Sequence, residues 1–192
     1  MSIDGGRPAP AAPPARLRVW DLPVRLLHGS LVACVLGAWL TRHRLGELHQ
    51  YFGYGALAAA SLRLVWGFVG GSRYARFTQF VRRALPTLAY ARAVLAGHAP
   101  RYLGHNPLGG WMVVALLACV GALGFTGWLY TTDMFWGYGW LAMLHEGLAW
   151  TLLAMVALHV GGVVFTSWQH RENLVEAMVT GDKPQAQPGD VV

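Results

Sequence analysis

From Ala142 to Trp168 the chain carries a single charged residue, Glu146, and three further apolar stretches of similar length precede it. About 20 apolar residues suffice for a helix to cross the roughly 30 Å hydrocarbon layer of a bilayer. In that solvent each backbone amide must find its partner within the protein, which confines a spanning chain to helices or a closed barrel. The spans are read at about 22–41, 48–70, 108–130 and 142–168. The fold class expected is therefore all-α, an integral membrane four-helix bundle. With 55% hydrophobic residues, 12% charged residues and a mean hydropathy of +0.37, the 192-residue chain is too apolar for an ordinary soluble domain.

The polar segments order themselves around the spans. Residues 1–19, dominated by Pro, Ala and Gly, are expected as an N-terminal tail, 20–170 as the membrane domain and 171–192 as a C-terminal tail. Asp21 with Pro23, and Asn106 with Pro107, supply a helix cap and a first-turn proline for the first and third spans. The connection Gly71–Pro107 holds six arginines and no acid, and within it Pro86–Gly97 reads as an amphipathic helix on the membrane surface. Apart from Arg42, Arg44 and Arg63, every Lys and Arg lies in the tails, the first turn of span one or this connection. The positive-inside rule then puts both termini in the cytoplasm. The same rule accounts for the net charge of +6, so no nucleic-acid partner is expected.

Cys34 and Cys119 sit inside apolar runs and form no C-x-x-C-H, which excludes covalent haem attachment and zinc-site spacing. The third connection, Thr131–Leu141, brings Phe135, Trp136, Tyr138 and Trp140 to headgroup level, as an aromatic belt or a docking surface.

Ionisable side chains inside membrane helices are functional candidates. His145 and His159 are 14 residues apart, so on one helix they share a face to within about 40° and differ in depth by about 21 Å. His28 lies about as deep from the cytoplasmic start of span one as His159 does from the end of span four, while His49 and His145 both begin spans on the outer side. The four sort into an inner pair, His28 with His159, and an outer pair, His49 with His145. Paired imidazoles on facing helices suit the two axial positions of a b-type haem, held without covalent attachment and confined to electron transfer. The reading is two haem b groups between the helices, with Gly29, Gly53, Gly147, Gly161 and Gly162 leaving room for flat macrocycles.

Arg63, inside span two, either meets an anion such as an inner-haem propionate or reaches past Trp66 to the headgroups. His105, just before span three, is a cap-region residue or a propionate or quinone contact, and is the reserve ligand for His28. His43, His98 and His170 fall in connections or beyond a span end, where solvated imidazoles are expected. Without haem, the same histidines would do no more than join helices in a membrane anchor or small transporter.

Several motifs in register resemble the bacterial cytochrome b561 and nickel-iron hydrogenase b-type cytochrome family. They are Arg18-Val19-Trp20-Asp21 with Arg25 and His28; Leu48-His49 with Gly53-Tyr54; Arg63 to Gly70; His105 to Gly110; and His159 followed by Glu172-Asn173-Leu174 and Gly181. The resemblance implies a four-helix inner-membrane protein with two b haems, axial roles for His28, His49, His145 and His159, and exchange of electrons with the quinone pool. It also implies a respiratory redox partner, such as a periplasmic cytochrome c or a hydrogenase-type subunit. One branch of the family is a superoxide:quinone oxidoreductase, which is the enzyme alternative. Gly29 stands where the family commonly has a Trp after the first ligand, altering the packing beside the inner haem.

Overall fold

The computed structural model describes residues 16–43 and 46–191. The expectations for the first fifteen residues of the tail, Arg7 among them, and for Arg44 and Leu45 lie outside the described residues. Four long helices carry the apolar runs: α1 (Leu22–Thr41), α2 (Gly46–Val69), α5 (Pro107–Tyr130) and α6 (Gly139–His170), each long and apolar enough to cross a membrane. Between α2 and α5 lie a 3-10 turn (Arg73–Ala75), the single turn α3 (Phe77–Phe80) and the surface helix α4 (Ala84–Leu95). The chain ends with α7 (Leu174–Thr180) and β2 (Asp182–Pro184), which pairs with β1 (Arg16–Arg18).

The starts of α1 and α5 are fixed by the expected caps. Asp21 accepts a hydrogen bond from the Val24 amide at 3.0 Å, and Asn106 accepts one from the Gly109 amide at 2.7 Å. Neighbouring spans pack in sequence, α1 on α2, α2 on α5 and α5 on α6. Ala56, Ala60, Leu117, Val120 and Leu152 meet in the core of the bundle. Glycines on α5 set how closely its neighbours approach: a Cβ at Gly124 would stand 2.9 Å from the Leu57 side chain, and one at Gly110 only 2.5 Å from the Phe80 carbonyl oxygen. By contrast, α6 lies less close to α1 and α2, which it meets through Leu152 in this core and Trp150 against Trp39.

The segments expected as free tails close one end of the bundle together. Arg16–Arg18 form a strand with Asp182–Pro184, and the Val19 and Trp20 amides both donate to the Gly181 carbonyl, at 2.9 and 3.0 Å. Composition hid this strand, because its stability comes from a partner more than 160 residues away. Beneath it Val19, Trp20, Val24, Tyr74, Leu103 and Ala177 form a second apolar core. Gly181 ends α7 at φ +90°, and a Cβ there would lie 2.6 Å from the Trp20 carbonyl oxygen, so only glycine fits.

Arg171 ends α6 in the left-handed region at φ 50°, which turns Glu172 back under the bundle. There Glu172 accepts from Arg101 at 2.9 Å and from Lys183 at 3.1 Å, while Asp190 takes the other face of the Arg101 guanidinium. Burial pushes the Lys183 ammonium down from its ordinary pKa, and Glu172 opposes that shift. Removing one member of such a buried set leaves an uncompensated charge, a loss of about 3–5 kcal/mol. Glu172→Gln is therefore expected to lower the thermal midpoint of the detergent-solubilised protein by many degrees, followed by circular dichroism. An unchanged midpoint would show that the network adds nothing to the cap.

Candidate functional site

The outer histidines meet. His49, in the first turn of α2, and His145, in the second turn of α6, have ring centroids 6.2 Å apart with planes at 78°. Each ring is held through Nδ1. His49 Nδ1 lies 2.9 Å from the Ala38 carbonyl oxygen, an acceptor only, so this nitrogen carries the proton and donates. His145 Nδ1 lies 2.9 Å from the Thr126 hydroxyl. That hydroxyl has the Ala122 and Leu123 carbonyls at 2.9 and 3.2 Å to take its one hydrogen, which leaves its oxygen to accept from His145 Nδ1–H. With Nδ1 protonated on both rings, both Nε2 atoms keep a free lone pair.

This donor set fits a b-type haem. An imidazole nitrogen binds a metal at about 2 Å and the ring centre lies about 1 Å beyond it, so two rings on opposite sides of one ion stand about 6 Å apart. The remaining coordination would come from the macrocycle itself. Among the described residues no group of three or more His, Cys, Asp or Glu comes together to hold a bare metal ion. Gly127 on α5 lets the helix backbone close on His145, where a Cβ would lie 3.2 Å from the ring. On the other side, a Cβ at Gly53 or Gly147 would meet no atom within 4 Å. Trp39 on α1 and Trp150 on α6 meet edge to face at 5.0 Å between ring centroids.

At the other level the side chains gather more loosely. His28 on α1 and His159 on α6 are each half-buried, and among the described residues they make no ring contact like that of the outer pair. Gly29, Gly161 and Gly162 beside them also border open space, where an added Cβ would meet no atom within 4 Å. His105 precedes the α5 cap and lies between Trp20 and Phe80, its ring centroid 4.7 and 4.6 Å from theirs. Burial first, then the charges of Arg63 and Lys183, push its pKa down to about 3, so the ring is neutral. Its Nδ1 is buried without a hydrogen-bond partner.

Arg63 is turned into the protein. It is 5% exposed, Nη2 donates to the Ala75 carbonyl at 3.0 Å, and Nη1 is buried with no partner. Trp66, one turn further along α2, is tied to the bundle instead, its Nε1 donating to Asp21 at 3.1 Å. Of the remaining histidines, His43 and His98 are exposed, and His170 at the end of α6 is half-buried.

Sequence reasoning missed Thr126, whose signal is a lone hydroxyl in the α5 apolar run, and the Trp20–His105–Phe80 stack, whose members are distant in sequence. No curated protein matches the chain. A family model described as prokaryotic cytochrome b561 matches residues 19–181. That match begins at the buried valine of the cap, runs through all four spans and ends at the glycine that terminates α7. The chain belongs to the prokaryotic cytochrome b561 family and is a multi-pass bacterial membrane protein, a b-type cytochrome of electron transfer.

Proposed function

We propose that this cytochrome holds two b haems, one at each level of the bundle, and relays electrons between the quinone pool and a redox partner at the outer face. The observation that carries the reading is the outer imidazole pair, 6.2 Å apart with both Nδ1 atoms engaged and both Nε2 atoms free. His145 and His159 lie on one continuous helix, α6, about 21 Å apart along its axis, which supports a second centre at the inner level. His28 on α1 is its proposed partner there.

A haem held between these imidazoles would supply one-electron chemistry. The protein's part is ligation, orientation and a water-poor surrounding. The Ala38 carbonyl and the Thr126 hydroxyl orient His49 and His145 and raise their basicity as ligands, which would favour the oxidised state of a haem held there. At the inner level Arg63 Nη1 and His105 Nδ1 are buried groups without partners, and a propionate carboxylate would satisfy them. The arginine-rich connections and the tails lie at that same end, so by the positive-inside rule this end and both termini face the cytoplasm. The aromatic connection after α5, with Trp136 and Trp140 exposed, then lies at the outer face, near the outer pair.

Two outcomes test this. His159→Ala should halve the pyridine-haemochrome content from two haems per chain to one, with helix content unchanged. Two haems retained would refute the inner assignment, and a colourless wild-type preparation would refute the whole reading. Thr126→Val should loosen the outer haem by about 10–100-fold, the usual cost of losing a partner behind a metal-bound imidazole. Thr126→Ser should restore it; haem transfer to an apo-acceptor measures both. Equal haem retention in Thr126→Val and the wild type would remove Thr126 from the site.

A further inference from the structure

After β2 the chain folds back over the segment that leads into α5. Val191 is fixed there by two backbone bonds: its amide donates to the Arg101 carbonyl at 2.8 Å, and its carbonyl accepts from the Leu103 amide at 3.1 Å. Asp190 adds an ion pair with Arg101, both side chains largely buried. Between this anchor and the buried Lys183, every residue from Pro184 to Gly189 is exposed. The segment is thus an exposed loop tied down at its far end.

The anchor is shaped by its own turn. Gly189, at φ +98°, allows the Asp190 amide to donate to the Gln187 carbonyl at 3.1 Å. The Gln187 amide donates in return to Asp190 Oδ2 at 2.8 Å, the same oxygen that accepts from Arg101 Nη1. Local bonds therefore hold the carboxylate ready for the guanidinium. When Asp190 leaves, Arg101 keeps Glu172 at 2.9 Å and the Pro184 carbonyl at 3.3 Å, so its charge stays paired.

Val191 also lines a hollow of about 10 Å³, the room of about one water. The buried Tyr74 and Phe80 form its inner wall together with the ring of His105, and Gln79 and Arg82 stand at its more exposed rim. None of residues 184–191 belongs to either apolar core, so lifting Val191 would open the hollow without disturbing them. Segments held by so few buried contacts open locally, at far less cost than global unfolding.

We propose that residues 185–191 form a lid that swings on Pro184 and controls the access of bulk water to His105, with the Asp190–Arg101 pair as its latch. Opening leaves the pairing of β1 with β2 in place, so the lid moves separately from the rest of the cap. The device does not depend on the haem count.

Hydrogen exchange of the detergent-solubilised holoprotein, resolved to single amides, tests this together with diethylpyrocarbonate, which acylates accessible neutral imidazoles. In Asp190→Asn the Leu103 amide should exchange at least about tenfold faster, the consequence of losing a charged hydrogen bond at the latch. The Val19 and Trp20 amides, bonded to the Gly181 carbonyl, should keep their wild-type rates. His105 should be acylated faster by a similar factor, and the exposed His98 at an unchanged rate. Deletion of residues 186–192 should reproduce both changes. Unchanged Leu103 exchange in the two variants would overturn the proposal, as would Val19 and Trp20 exchanging faster in step with Leu103. Faster Leu103 exchange with no change in His105 acylation would overturn it too.

Discussion

The Nδ1–H bonds of His49 and His145 hold the architecture together as well as the site. In hydrocarbon an imidazole proton must find an acceptor inside the protein. His49 finds it across the first hairpin, on the Ala38 carbonyl of α1, and His145 finds it across the second, on Thr126 of α5. Each bond therefore ties two spans together and at the same time turns Nε2 away from its own hairpin. The hairpins join along α2 and α5, while α6 lies less close to α1 and α2. That seam is where the two outer imidazoles face each other, and it is where the proposed haem would lie.

The cap at the other end solves a different problem, namely how arginines and lysine are kept next to an apolar bundle. Arg101 and Lys183 share Glu172, and Asp190 completes the set, so two buried cations face two carboxylates. Arg171 bears the cost of a left-handed backbone, about 1–3 kcal/mol, because that turn is what delivers Glu172 to the network. Arg63 and His105 lack full partners in the same neighbourhood. Arg25 Nε and His170 Nε2 are likewise buried without partners, and in the proposed reading Arg63 and His105 are the two that would meet an anion carried by the cofactor.

Much of this was legible in the sequence because the bilayer simplifies the problem. Hydropathy marked the four spans, with α6 running from Gly139 to His170 where its apolar run suggested 142–168. The 14-residue spacing within α6 set the two histidine levels. The strand at Arg16–Arg18 and the Arg101–Glu172–Lys183 network were not legible, because each depends on contacts between residues far apart in the chain. The surface helix was legible as a type and shifted in extent, Ala84–Leu95 against an expected 86–97, because Arg83 rather than a residue further on takes the cap position. Among the motifs behind the family resemblance, Asp21, Asn106, Asn173 and Gly181 build helix ends. Their part in the site is to place the histidine-bearing helices rather than to ligate.

The central proposal is that histidines from different spans would hold a haem at each of two heights, His49 with His145 and His28 with His159. Electron paramagnetic resonance of the oxidised protein, quantified against total iron, reads this directly. The account predicts two low-spin ferric centres per chain, each with the signature of two histidine ligands, and no high-spin component. A high-spin ferric signal, or a single low-spin centre accounting for all the iron at one per chain, would contradict it.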